Sequence, residues 1–325
     1  MREVALYRNN GPDVLRDCEL VNFDRSRTVR EMIAVDGSYS FLLNISSMWL
    51  AIVRVGGLAY VFRDDGYRLV DNKRLDVPIL ISTERHVVER QSDLHMQLFE
   101  ATRLSGDHPR AMMNEFRHHL EGELTLRMAR EREGAIIAVD GTLASFHKES
   151  NHLHETREEC ERRGNILVGI SKDSYSHAFG GVKTDEELLN GKNGMAFVRV
   201  PSGYEEKHRG FLHGDVYFAK LHPDSPKWFR IDVGTFRDDP SFVFSNLAHY
   251  ARSGLCPGYP YPLLEAHRFA VTIRQFREVY EEVLLHVGVE EGMPVEEIIG
   301  GLTHVEGERR GAFHEYLDQA SRDLR

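Results

Sequence analysis

The sequence predicts a mixed α/β protein carried by one elaborated sheet. Three observations predict it. Two continuous apolar runs, at 135–139 and 166–170, have the length and composition of strands buried on both faces. Short β-rich runs separated by glycine precede them between residues 32 and 62. Segments whose apolar residues recur at helical spacing alternate with strand-like runs along the rest of the chain.

The first strand is expected at Met32-Ile33-Ala34-Val35, ending at Asp36-Gly37-Ser38, with two more at about 48–55 and 58–62 in an antiparallel meander. A helix over 86–103 carries Val87, Val88, Leu94, Leu98 and Ala101 at helical spacing. After a break at 106–109 a second helix runs to about 132, with the stripe Met112 or Met113, Phe116, Leu120 and Leu124. The run Ala135-Ile136-Ile137-Ala138-Val139, closed by Asp140-Gly141-Thr142, is the best single candidate for a central strand. A highly charged helix over 147–163 ends at Gly164 and leads into Ile166-Leu167-Val168-Gly169-Ile170-Ser171-Lys172. Later strands are expected at 195–200, 216–221 and 228–233, and helices at 245–253 and from 262 to about 286. No repeat of solenoid length and no low-complexity tract is present.

Composition narrows the class. The 325 residues carry 41 Lys+Arg against 51 Asp+Glu, a formal net charge of −10, with 41% hydrophobic residues. That is ample material for a core, and it excludes disordered and fibrous classes. An acidic total argues against coating nucleic acid by bulk charge, though a local basic groove stays open. Residues 275–325 hold 12 Asp/Glu and five Lys/Arg, so much of the excess lies there, as a solvated acidic helical tail or a partner-docking surface. Cys18, Cys160 and Cys256 are far apart and form no C-x-x-C pair, which suggests a reducing compartment. The N-terminus lacks the apolar core of a signal peptide and no stretch offers 18 clean apolar residues, so the expectation is a soluble, cytoplasmic protein with no membrane association.

The chemistry-bearing residues recur at strand and helix ends. Val-Asp-Gly-[Ser/Thr] occurs twice, at 35–38 and 139–142, each after an apolar run. An Asp-Gly pair is commonly a turn. If the two strands are neighbours, however, Asp36 and Asp140 project from one edge, where hard divalent cations are held by carboxylate oxygens. Glu123 continues the stripe of its helix at seven residues from Phe116, as an inward ligand or as a boundary Glu that reaches out to solvent as Glu121 and Glu131 do, with Glu121, two residues away, the competing ligand. In Cys256-Pro257-Gly258-Tyr259-Pro260-Tyr261-Pro262, Pro262 opens a helix whose His267 sits within two turns, a candidate imidazole ligand. Lys172, after another buried strand, is a surface lysine or a point charge for phosphate. The stretch 199–237 interleaves Lys and Arg with aromatics, the mixture needed for base stacking with phosphate contact and also found in sheet edges. The segment Gly180-Gly181-Val182-Lys183-Thr184 lacks P-loop spacing, no G-x-S-x-G elbow occurs, and His152, His154 and Cys160 do not share a helical face for zinc.

Taken in order, Asp36-Gly37-Ser38, Glu123, Asp140-Gly141-Thr142-Leu143, Ser171-Lys172 and Gly258-Tyr259-Pro260 followed by Glu265-Ala266-His267-Arg268 resemble the NurA nuclease family, over about residues 32–277. The resemblance implies an RNase H-like core, a homodimer, manganese-dependent nuclease activity on DNA with 5′ to 3′ exonuclease and single-strand endonuclease character, and partnership with the hexameric HerA motor ATPase in DNA-end processing. Carried over by residue, Asp36, Glu123, Asp140 and His267 would bind metal, Mn²⁺ or Mg²⁺, and Tyr259 would line the site. Two-metal phosphodiester hydrolysis fits such a set, with Lys172 neutralising charge on the scissile phosphate. One domain is expected over 1–325, with its core at about 30–287 and an acidic helical extension at 288–325. Two other readings stay open: a non-catalytic nuclease-like subunit that binds and regulates a motor ATPase on DNA, and a ribonuclease or defence-system effector on the same core.

Overall fold

A computed structural model of the protein describes residues 18–302, except 27, 46, 65, 145–150, 181, 209 and 236–238. Among the described residues nine strands form one sheet: β1 (Val21–Asn22), β2 (Met32–Ile45), β3 (Met48–Arg63), β4 (Gly66–Ser82), β5 (Ile136–Asp140), β6 (Ile166–Ser171), β7 (Ala196–Arg199), β8 (Asp215–Lys220) and β9 (Phe229–Val233). Among the same described residues ten α-helices accompany them: α1 (Arg85–Val88), α2 (Asp93–Thr102), α3 (His108–Glu131), α4 (Asn151–Arg163), α5 (Asp185–Leu189), α6 (Ser202–Lys207), α7 (Pro240–Tyr250), α8 (Tyr261–Val271), α9 (Arg277–Glu290) and α10 (Val295–Gly301). The strand order is β1-β7-β8-β9-β6-β5-β2-β3-β4. Only β2-β5 and β5-β6 are parallel, and the remaining pairs are antiparallel. This is the expected α/β architecture, an RNase H-like mixed sheet flanked by helices. Among the described residues no helix is long and apolar enough to cross a membrane.

The apolar runs at 135–139 and 166–170 become the central parallel strands because both of their faces are covered. Side chains alternate across a strand, and the parity of the residue numbers divides them between two cores. Met32, Ala34, Ile136, Ala138, Ile166, Val168 and Ile170 pack with Leu247 of α7 and with Leu263 and Leu264 of α8. Ile33, Val35, Ile137 and Leu167 pack with Met112, Phe116, Leu124 and Met128 of α3. Register carries this parity across the sheet, since Ala34 stands opposite Ala138 and Ala138 opposite Val168.

The first strand does not stop at Asp36-Gly37-Ser38. It continues to Ile45, because every position from Met32 to Phe41 has a partner on β3 and Gly37 takes no positive φ. Runs 48–55 and 58–62 are one strand, β3, which passes through Gly56-Gly57 without a turn. Strand β4 carries too many charges for an apolar-run criterion. Most of those charges are paired: Asp76 with Arg54 and Arg74, Asp71 with Arg132, and Lys73 with Glu131. The helix over 86–103 is two, because Ser92 caps α2 by accepting from the His95 amide. The helix over 262–286 is likewise divided, by a 3-10 turn at Thr272–Arg274. There the Thr272 hydroxyl donates to the Phe269 carbonyl and accepts from Arg54, competing with the helical ladder. Of the charged helix over 147–163, residues 147–150 lie outside the described residues, as does 303–325 of the C-terminal extension.

Candidate active site

The same parity that builds the core places the polar residues. Asp36, Asp140 and Lys172 continue the even-numbered series 32-34, 136-138 and 166-168-170, so all three face the α8 side at the carboxyl ends of β5 and β6. His267 joins them because it shares a helix face with Leu263, Ala266 and Ala270, the buried stripe of α8. Tyr259 precedes α8 in a tight turn. Gly258 there has φ 94°, and a Cβ would stand 2.2 Å from the Ser225 hydroxyl, so only glycine fits. Gly141, with φ 111°, turns the chain sharply after Asp140. The Leu143 amide then donates to buried Asp232 at 3.0 Å, and Asp232 is held by Arg230 at 2.8 Å.

The resulting cluster is tight. Lys172 Nζ lies 2.5 Å from Asp140 Oδ2, 3.2 Å from His267 Nδ1 and 3.7 Å from Asp36 Oδ2. His267 Nδ1 lies 2.9 Å from Asp36 Oδ2, the Gly37 amide donates to Asp36 Oδ1 at 2.8 Å, and the Tyr259 hydroxyl donates to Asp140 Oδ1 at 3.4 Å. Asp36, Lys172, Tyr259 and His267 are buried, and Asp140, with its side chain 21% exposed, is the group that meets solvent.

Electrostatics separates the two carboxylates. Burial alone would raise the Asp36 pKa, but Lys172 and His267 outweigh it and hold the carboxyl well below the usual range. Asp140 is pushed up, by burial first and by the Asp36 charge, against the pull of Lys172. Burial opposes the charge on Lys172, yet Asp140 and Asp36 keep its pKa above the ordinary lysine value. The Tyr259 phenol is raised well above its ordinary value by burial and by both carboxylates, so it serves as a donor.

The donor set suits a divalent cation. One ligand atom each from Asp36, Asp140 and His267 lie within 4.8 Å of one another. A single ring nitrogen at His267 faces both a carboxylate and an ammonium, and it can satisfy only one, as donor to the first or acceptor from the second. A cation bound by the neutral imidazole and both carboxylates relieves that conflict, and oxygen and nitrogen donors of this kind match Mn²⁺ or Mg²⁺.

Glu123 is not in the cluster. It is exposed on α3, and the inward position belongs to Glu121. The buried face of α3 rotates along the helix, from Met112, Met113 and Phe116 to Leu124, Thr125 and Met128, so by the sixteenth residue an i+7 step from Phe116 points out of the protein. Glu121 accepts from Arg117 at 2.7 Å, and its Oε1 stands 2.7 Å from where a Gly37 Cβ would be. It approaches across Gly37 from the α3 side of the sheet. Arg117 belongs to no motif in the sequence. Burial opposes its charge, but Glu121, Asp36 and Asp140 outweigh this and raise its pKa. The helical i, i+4 step to Glu121 was the available signal for both. The basic and aromatic stretch is structural: Tyr217, Phe218, Trp228 and Phe229 are buried. Arg199 pairs with Glu205 and Asp215, Lys227 with Asp173 and Glu186, and Arg230 with Asp232. Arg209 and Arg237 of that stretch lie outside the described residues.

A family model described as the NurA domain matches residues 30–272, three-quarters of the chain and all of the cluster just described. The chain belongs to the NurA family. Among solved structures, the NurA nuclease of Sulfolobus solfataricus is similar at a TM-score of 0.52 and 16% identity, over 87% of this chain and 91% of that one. Endonuclease V of Ciona intestinalis, solved with a DNA 24mer containing an inosine followed by a ribo-adenosine, aligns at 0.40 and 13% over 79% and 92%. The catalytic domain of human Endonuclease V aligns at 0.39 and 15% over 85% and 92%. No curated protein sequence matches this NurA-family chain.

Proposed function

We propose that this NurA-family chain is a divalent-metal-dependent nuclease that hydrolyses phosphodiester bonds in DNA. One observation carries the reading: two carboxylates and an imidazole from three separate elements converge around a buried lysine at the carboxyl ends of the central parallel strands. Asp36, Asp140 and His267 are the residues that would hold the metal. Glu121 replaces Glu123 as the contribution of α3, beside Gly37. A bound divalent cation supplies positive charge for phosphate oxygens and acidity for a water molecule.

The chain's own groups do the rest. Asp36, kept ionised by its neighbours, faces His267 Nδ1 at 2.9 Å and would share the cation with it. Asp140 presents a carboxylate at the solvent boundary, with its orientation set by the Tyr259 hydroxyl. Lys172 and Arg117 bring positive charge to a site that must accept an anionic backbone. Family membership supports the finer expectations as parts of the same proposal: Mn²⁺ as the preferred ion, 5′ to 3′ exonuclease and single-strand endonuclease action, a homodimer, cytoplasmic location, and a HerA-type hexameric ATPase that feeds DNA to an otherwise acidic protein.

The test incubates end-labelled single-stranded DNA with the full chain in Mn²⁺ or in EDTA, and repeats it with Asp140→Asn. Cleavage in Mn²⁺ that is lost in EDTA and in the variant, with the variant's Tm retained, supports the reading. Undiminished cleavage by Asp140→Asn would overturn it.

A further inference from the structure

Lys172 holds a position that the proposed chemistry does not account for. Its ammonium sits among the three side chains that would take a metal, at 2.5 Å from Asp140 Oδ2, 3.2 Å from His267 Nδ1 and 3.7 Å from Asp36 Oδ2. One ligand atom from each of those side chains lies within 4.8 Å of the others, so a bound ion and the ammonium compete for the same small space. A divalent ion bonded to both carboxylates and to the imidazole would have to enter the space among those side chains that Nζ now occupies. Two cations so close together in a buried site would also repel each other strongly.

We infer that Lys172 is the resident counter-ion of the metal-free site, that its Nζ and a divalent cation exclude each other there, and that cation binding drives the ammonium out toward the substrate phosphate. The inference rests on the metal-dependent reading above and deepens it by making metal loading and phosphate contact one coupled event. Without metal, Lys172 keeps the buried Asp36 carboxylate and the partly buried Asp140 carboxylate from facing each other unscreened, which is costly where little water reaches. With metal, the same charge is released. The four-carbon stem of lysine allows this, because it carries a compact charge on rotatable bonds where a planar arginine fork would be held in one orientation. Nothing else in the cluster plays this part: Arg117 engages Glu121 on the α3 side.

The test measures Mn²⁺ binding directly, by isothermal titration calorimetry on the full chain without DNA, together with thermal melts in EDTA and in Mn²⁺. Lys172→Met and Lys172→Gln are expected to bind Mn²⁺ at least tenfold more tightly than wild type, to melt several degrees lower in EDTA, and to gain more in Tm from Mn²⁺. Unchanged or weaker binding in both variants overturns the inference while leaving the nuclease reading intact, because cleavage is not the readout. Should either variant fail to fold without metal, wild-type protein labelled with ¹⁵N at lysine Nζ decides the matter. The protected ammonium signal of Lys172 in EDTA should vanish or move on Mg²⁺ addition, and a signal unaltered at saturating Mg²⁺ overturns the proposal. Absence of any Mn²⁺ binding by wild type and variants alike overturns it as well.

Discussion

Replacing Gly37 by alanine tests whether α3 contributes Glu121 to the site. Gly37 lies within β2 with no positive φ, so an alanine there adds no backbone strain. Its Cβ would stand 2.7 Å from Glu121 Oε1 and 3.1 Å from both Arg117 Cγ and Val55 Cγ2. A comfortable carbon to oxygen contact is about 3.3–3.6 Å, so the carboxylate must retreat by about 0.6–0.9 Å. The carboxylate is the far end of a flexible side chain, and the strand gains from losing a glycine, so the net cost in stability should be about 1 kcal/mol or less. The catalytic effect should be much larger, because a displacement approaching 1 Å near reacting groups can cost about 100-fold. We therefore expect kcat/KM on single-stranded DNA in Mn²⁺ to fall by about 10- to 100-fold while Tm stays within a few degrees of wild type. Glu121→Gln should reproduce the loss and Glu123→Gln should not. Wild-type kcat/KM in Gly37→Ala would refute the placement of Glu121, and a loss confined to Glu123→Gln would reverse the assignment.

Two further outcomes follow from packing and charge. Gly56→Ala puts a Cβ 2.3 Å from Cδ1 of Phe269, a ring that also lies under the Arg54 guanidinium, so α8 must shift with its His267. Overpacking of this kind costs about 1–3 kcal/mol, and a thermal melt should show the loss together with weaker Mn²⁺ binding, both recovered in the Phe269→Leu double variant. Burial alone would raise the Asp76 carboxyl, but Arg54 and Arg74 outweigh it and hold its pKa below the ordinary value. The stability Asp76 contributes is therefore complete above its unfolded pKa of about 3.9 and is lost as pH falls through the lower folded one. Tm against pH should have a shallower acid limb in Asp76→Asn, and an unchanged slope would contradict the pairing.

The chain's own order of residues was enough to locate much of this site. Continuous apolar runs marked β5 and β6 as central because only strands covered on both sides can be apolar at every position. The two Asp-Gly pairs that follow apolar runs, the buried-stripe position of His267 and the turn at Gly258 are local signals, legible because each depends on neighbours within a few residues. Composition already excluded disordered and fibrous classes, and the spacing of glycines excluded a P-loop.

What local pattern could not supply was partnership over long distances. Asp36 is not at a strand end, because β3 pairs with β2 far beyond it, and an Asp-Gly pair turns the chain at 140–141 yet runs straight at 36–37. Strand β4 is polar along much of its length; it is a strand through its pairing with β3 from end to end, and Arg54, Arg132 and Glu131 meet its charges from elsewhere. The choice of Glu121 over Glu123 turned on how the buried face of α3 rotates between its partners, which the helix alone does not specify. Lys172 reads in sequence as any lysine after a strand. Its burial between Asp36 and Asp140, 136 and 32 residues away, exists only once the parallel register of β2, β5 and β6 brings three even-numbered positions onto one face.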